Sequence, residues 1–120
     1  MANELTLSAQ VYFLKGTISE EWQELDKQFT VAGTKKIRNV QTVGTSEELI
    51  QLGDVSVGGY CMCKNHDTTN FVQIRGATGE TDLIRLEPLD VAMFRIDDGA
   101  TPYAIADTAS CEVEFLIVEA

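Results

Sequence analysis

Cys61 and Cys63 flank a single methionine, His66 follows three residues later, and Cys111 lies far downstream. Thiols and an imidazole this close together are the residue types that hold zinc or drive nucleophilic chemistry. Zinc prefers four Cys or His ligands, usually from knuckles with two to four residues between the cysteines. One intervening residue in a strand instead puts both thiols on one side, about 6–7 Å apart along the chain. That is too far for a shared ion without a bulge, so the expected role of these cysteines is that of small buried hydrophobes. Three is an odd set and does not suggest a disulfide framework. His66 is the chain's one histidine and sits in a loop-like Asn65-His66-Asp67 stretch. A Cys–His catalytic pair needs a thiol beside the ring and a third group orienting it. The residues around His66 predict a surface turn instead.

The other candidates for chemistry are weaker. Gly76-Ala77-Thr78-Gly79 is too short for a phosphate loop and lacks the Lys and following helix that such a loop requires. Asp97-Asp98 supplies two carboxylates without the spaced oxygen ligands that calcium takes. No serine stands in a Gly-x-Ser-x-Gly setting. The expectation is a chain with no catalytic residues, no cofactor and no metal.

Trp22 is of another kind. It stands among Glu20, Glu21, Glu24 and Asp26, which is not an obvious core setting. Tryptophan buries a large area with little entropy lost, so it is enriched at interfaces. Glu20, Glu21, Trp22 and Glu24 are therefore the candidate partner-contact residues. The competing reading places Trp22 as a cap over the open end of the core.

The elements that would carry these residues announce themselves by period-two alternation, which sends successive side chains to opposite faces of a strand. Leu5, Leu7, Ala9, Val11 and Phe13 would face inward, with Glu4, Thr6, Ser8 and Gln10 outward. Cys111, Val113, Phe115 and Ile117 repeat the pattern against Glu112 and Glu114, and Leu116 and Val118 suggest cover on both faces there. Between these end strands, shorter ones are expected at residues 28–32, 36–43, 60–64, 71–75, 83–86, 91–96 and 103–106. Their separators are rich in Gly, Asn and Asp, which close hairpins readily. Many short strands at even spacing, with no helix long enough to cross over between parallel strands, predict a sandwich or barrel. Two segments read as short helical turns: Thr17-Ile18-Ser19-Glu20 resembles a capping box followed by Trp22 and Leu25, and Thr45–Leu52 could open with one turn. With 120 residues and no linker, a single domain over 1–120 is expected.

Nine Lys and Arg stand against nineteen Asp and Glu, a formal charge of −10. That balance repels phosphate backbones and anionic lipid, which disfavours nucleic-acid and membrane-surface roles. No apolar run reaches the ~20 residues of a membrane span. Met1-Ala2-Asn3-Glu4 lacks the features of a secretion signal, so synthesis in a cytoplasm is expected.

Several stretches in order resemble a family of small structural proteins of tailed bacteriophages. They are the opening Met1–Leu7, then Val31–Thr34, Gln41–Glu48, Leu52–Val55, Gly59-Tyr60 and Lys64–Val72. Leu86–Pro88, Met93–Arg95 and Ala106–Ile117 complete the set. Ile18–Lys27 is longer and more charged than that pattern. The resemblance implies a virion component without catalytic residues, and most closely a decoration or cement protein that coats the capsid. Its partners would be the major capsid protein or other virion proteins, and its own copies, with a trimer favoured. A tail or fibre protein is the alternative; a small ligand-binding barrel or enzyme is more remote. The architecture expected from pattern and resemblance together is all-β: an antiparallel β-sandwich, jelly-roll or Greek-key-like, with one or two short helical turns.

Overall fold

The computed structural model describes residues 3–120, as two compact units that divide after Ala32. Every regular element among those residues is a strand, and every strand pairing is antiparallel.

The first unit is one long hairpin. β1 (Leu5–Lys15) pairs with β2 (Ile18–Phe29), with Lys15 opposite Ile18. Only Gly16 and Thr17 lie between them. Gly16 has φ +61°, the left-handed conformation that a type II′ hairpin turn asks of its first central residue. The expected helical turn over Thr17–Leu25 is therefore corrected to strand. The turn reverses the chain at once, and Ile18 through Glu24 then each face a residue of β1. Further along, β2 carries one extra residue between Glu24 (opposite Ala9) and Lys27 (opposite Leu7). This bulge is held by Asp26, whose φ is +56° and whose N–H donates to Ser8 Oγ at 3.1 Å. The strand expected over residues 28–32 reduces to the end of β2, since Thr30–Lys35 are irregular.

The second unit holds β3 (Lys36–Val43), β4 (Glu48–Leu49), β5 (Gly58–Asn65), β6 (Val72–Arg75), β7 (Ile84–Leu86), β8 (Val91–Arg95), β9 (Tyr103–Ala106) and β10 (Cys111–Glu119). They form two four-stranded sheets, ordered β3-β10-β5-β8 and β4-β9-β6-β7. The inward side chains of both sheets share one core: Val43, Cys63, Val113, Phe115 and Ile117 from the first, and Val72, Ile74, Leu86, Ala104 and Ala106 from the second. Alternation dictates this, because the residues between them on each strand point to solvent. The second helical turn is also absent. Residues 48 and 49 pair with Ala104 and Tyr103 as a two-residue strand, and Glu48 accepts hydrogen bonds from Gln41 Nε2 (2.9 Å) and the Gly44 N–H (3.0 Å). Gly59 belongs to β5. A Cβ there would stand 2.9 Å from the Val118 carbonyl oxygen, so only glycine lets these strands approach so closely.

Candidate functional site

Cys61 and Cys63 lie on the inward face of β5, and Cys111 begins β10; all three are free and buried. Hydrogen bonding to Cys63 and burial both push the Cys61 thiol far above its ordinary range. Burial, with the charges of Asp67 and Asp107, raises Cys111 as well. A nucleophilic or metal-binding cysteine needs a shift toward thiolate; Cys63 alone is lowered, by its hydrogen bond with Cys61, and it lies buried in the core. These sulfurs pack as hydrophobes against both sheets.

His66 projects outward and meets a carboxylate: its Nε2 lies 2.9 Å from Glu114 Oε1. Glu114 Oε2 also takes a 2.7 Å hydrogen bond from Arg38 Nε. The His66 and Arg38 contacts hold the Glu114 carboxyl below its usual value. The loop around His66 is built by its neighbours. Asn65 is wholly buried and donates to the carbonyls of Asn70, Leu86 and Glu87 at 2.9–3.3 Å, while its Oδ1 accepts the Asp67 N–H. Asp67 in turn accepts from the N–H groups of Thr69 and Asn70, which lowers its pKa. This is a structural knot that joins β5, the loop and the β7–β8 turn.

Gly76-Ala77-Thr78-Gly79 is likewise tied down by protein groups. Glu47 accepts from Thr78 Oγ1, the Gly79 N–H and Arg75, and Arg75 also pairs with Asp82 at 2.7 Å. Two open depressions lie on this unit, of about 150 and 240 Å³. Both fall below the roughly 300–1,000 Å³ of typical small-molecule sites. Among the described residues, no group of three His, Cys, Asp or Glu side chains is placed to hold a metal ion.

The candidate contact residues all lie on β2. Trp22 faces Val11, Glu20 faces Phe13, and Glu24 faces Ala9, so these three share one side of the hairpin. Glu21 faces Tyr12 on the other side. Trp22 is 68% exposed, which is incompatible with capping a core. Its indole N–H donates to Glu24 Oε2 at 2.7 Å, and Glu24 pairs with Lys27 at 3.0 Å; these contacts lower the Glu24 pKa. Sequence reasoning missed Val11, Phe13 and Ile18, which join Trp22 on the same exposed side. The signal was Gly16-Thr17, a two-residue hairpin loop that brings β1 and β2 together and so sets Val11 beside Trp22.

Comparison of the chain with family models, curated proteins and solved structures found no significant match.

Proposed function

We propose that this chain is a non-catalytic structural subunit of a tailed-phage virion, one that decorates the capsid and stabilises the head by binding its lattice. The observation that carries this reading is the hairpin. It spends most of its side chains on solvent, with Val11, Ile18 and Trp22 each about two-thirds exposed. A lone two-stranded hairpin is at best marginally stable in water. An apolar side of this kind marks a protein-binding surface. The decoration role itself is what the sequence resemblance adds.

The second unit is read as an eight-stranded β-sandwich of jelly-roll type. Strand order supports this. Even- and odd-numbered strands alternate between the sheets from β3 to β6, and β7–β10 retrace that alternation in reverse, as two Greek keys would. Jelly rolls serve in viral capsids and also in lectins and cupins, so the fold alone does not carry the function. The chain would be made in the host cytoplasm, act on the virion, and assemble as a homo-oligomer, with a trimer favoured.

The test is to mix the purified protein with phage heads that lack it and measure cosedimentation and the temperature at which heads break. Saturable binding with a higher breakage temperature is expected; heads that neither bind the chain nor gain stability would sink the decoration role. A tail role is the second reading, favoured by the same long hairpin, which suits copies that clasp one another. Rings or tubes formed by the protein alone in electron micrographs would favour it over decoration.

A further inference from the structure

The occupant of the hairpin's apolar side can be read from charge and shape elsewhere on the same chain. The sheet β3-β10-β5-β8 buries one face and presents the other to solvent. On that outer face the registers align Arg38, Leu116, Met62 and Met93 in one row, and Val40, Glu114, Lys64 and Val91 in the next. Val40, Met62 and Val91 are each about half exposed. Lys36 and Arg95 complete the face, so four of the chain's nine cations are gathered there, against the carboxylates of Glu112 and Glu114. Among the described residues Arg38 alone of the four cations forms an ion pair, with Glu114. A chain of charge −10 thus carries one face with an apolar centre and a cationic surround.

The hairpin taken as a whole leans the other way in charge. Val11, Phe13, Ile18 and Trp22 form its apolar centre, where Glu20 and Glu24 stand with Lys15 and Lys27, and Glu21 lies on the other side. Its two strands carry four carboxylates against Lys15 and Lys27. Arg38, Met62, Lys64, Val91 and Leu116, with the Glu114 carboxylate, also line a shallow depression of about 150 Å³. A cavity of roughly that volume accepts a benzene ring. Phe13 and Trp22 are the aromatic rings on the hairpin's apolar side, and Arg38 and Lys64 are cations positioned to meet a ring face.

We propose that the hairpin of one copy docks on the outer face of β3-β10-β5-β8 of a second copy, with an aromatic ring of the arm seated in this depression. The proposal deepens the reading of the chain as an assembly subunit, and rests on it. Two different surfaces meet, so the contact is head-to-tail and repeats from copy to copy into a ring or an open row. An arm of twelve residues spans about 40 Å by strand rise and roughly 10 Å in width. That footprint of about 400 Å² is half of the ~800 Å² each partner gives to a standard interface. A single contact is therefore weak, and firm assembly needs ring closure or a lattice to supply several at once.

The test uses two full-length variants and sedimentation velocity over a range of protein and salt concentrations. Phe13→Ala with Trp22→Ala disables the arm and leaves the sheet face intact. Met62→Glu with Lys64→Glu disables the sheet face and leaves the arm intact. The wild-type chain is expected to self-associate, more weakly at high salt because the charged surrounds are screened. Each variant alone is expected to shift half-assembly at least tenfold upward in concentration. Mixed together they are expected to form a complex of one copy each, since the good arm of one meets the good face of the other. Circular dichroism and melting of each variant confirm folding; should the double sheet variant not fold, Lys64→Glu alone replaces it. Wild-type assembly that survives either variant, a wild-type chain that never self-associates, or a mixture that stays monomeric would each overturn the proposal. Binding of the wild-type chain to phage heads is scored separately. Heads bound by copies that never pair defeat the arm-to-sheet contact alone, and pairing copies that ignore heads defeat the decoration role alone.

Discussion

β1 and β10 are written in the same alphabet and end in opposite circumstances. Both alternate apolar and polar residues with period two, and both lie in antiparallel pairs. Phe115 of β10 is 2% exposed, whereas Phe13 of β1 is 47% exposed and Val11 is 65% exposed. The difference lies in what stands opposite. β10 is a central strand with neighbours on both edges and a second sheet contributing to its core, while among the described strands β1 pairs with β2 alone. Alternation specifies which residues share a face. It does not specify what that face meets.

The sharpest way to test the contrast is to empty one site of each kind. Phe115→Ala removes a ring packed from both sheets and is expected to destabilise the fold by about 3–5 kcal/mol. Chemical denaturation measures this directly. An effect below about 1 kcal/mol would mean that the shared core is not what holds the second unit together.

Asn65 gives the next largest effect. Asn65→Leu keeps the volume but takes a donor from the carbonyls of Asn70, Leu86 and Glu87 and the acceptor from the Asp67 N–H, while Glu87 keeps the Asp90 N–H and Asn70 the Cys111 thiol. Orphaned buried polar groups cost roughly 1–3 kcal/mol. Faster amide exchange at Asp67–Asn70, with β10 still protected, would show the loss to be local to the knot. Unchanged stability would show that water replaces the side chain without penalty.

Acid titration extends the comparison to charge. Glu47, Asp67, Glu114 and Glu119 of the second unit all have lowered pKa values, caused by hydrogen bonds and nearby cations. Glu119 accepts the N–H groups of Ser56 and Thr34 at 3.1 Å, which ties two connecting segments to the end of β10. A carboxylate with a depressed folded pKa favours folding once the pH exceeds its ordinary value near 4, and that contribution disappears as the pH falls through the folded value. The melting temperature of the second unit is therefore expected to hold from neutral pH to about 5 and to fall progressively below 4. Glu119→Gln should flatten that acid limb in part. A melting temperature independent of pH down to 2.5 would contradict the role assigned to these carboxylates.

The sequence made β3 and β9 legible to the residue and β5, β6, β7, β8 and β10 to within two, because Gly, Asn and Asp turns bracket strands with one buried face. It also made legible that Cys61 and Cys63 share a side. β2 was harder to read. Its run Ser19-Glu20-Glu21-Trp22-Gln23-Glu24 has polar residues on both faces, so period two gives no signal, and the Thr17–Glu20 spacing matches a helix cap. The pairing partner decided the outcome, through the turn at Gly16. Asn65 was likewise illegible as a hub, since a buried amide with four partners on two other segments has no local pattern. The outer face of β3-β10-β5-β8 depends on strand order, and no stretch of sequence specifies that order.

The smallest expected effect is also the most telling. Trp22 is the chain's one tryptophan, so its fluorescence reports on the hairpin alone. With an indole 68% exposed, dilute protein should already emit near the wavelength of a solvated indole, and unfolding the second unit should barely move it. Trp22→Ala should change the stability of the dilute protein by no more than about 0.5 kcal/mol, as surface substitutions do. At high protein concentration and low salt, the same indole should shift to the blue if it leaves water for a second copy. Fluorescence and sedimentation would then rise together along one concentration axis. An emission already blue-shifted in dilute solution would mean that Trp22 is buried within its own chain, and the contrast between a covered β10 and an uncovered β1 would collapse.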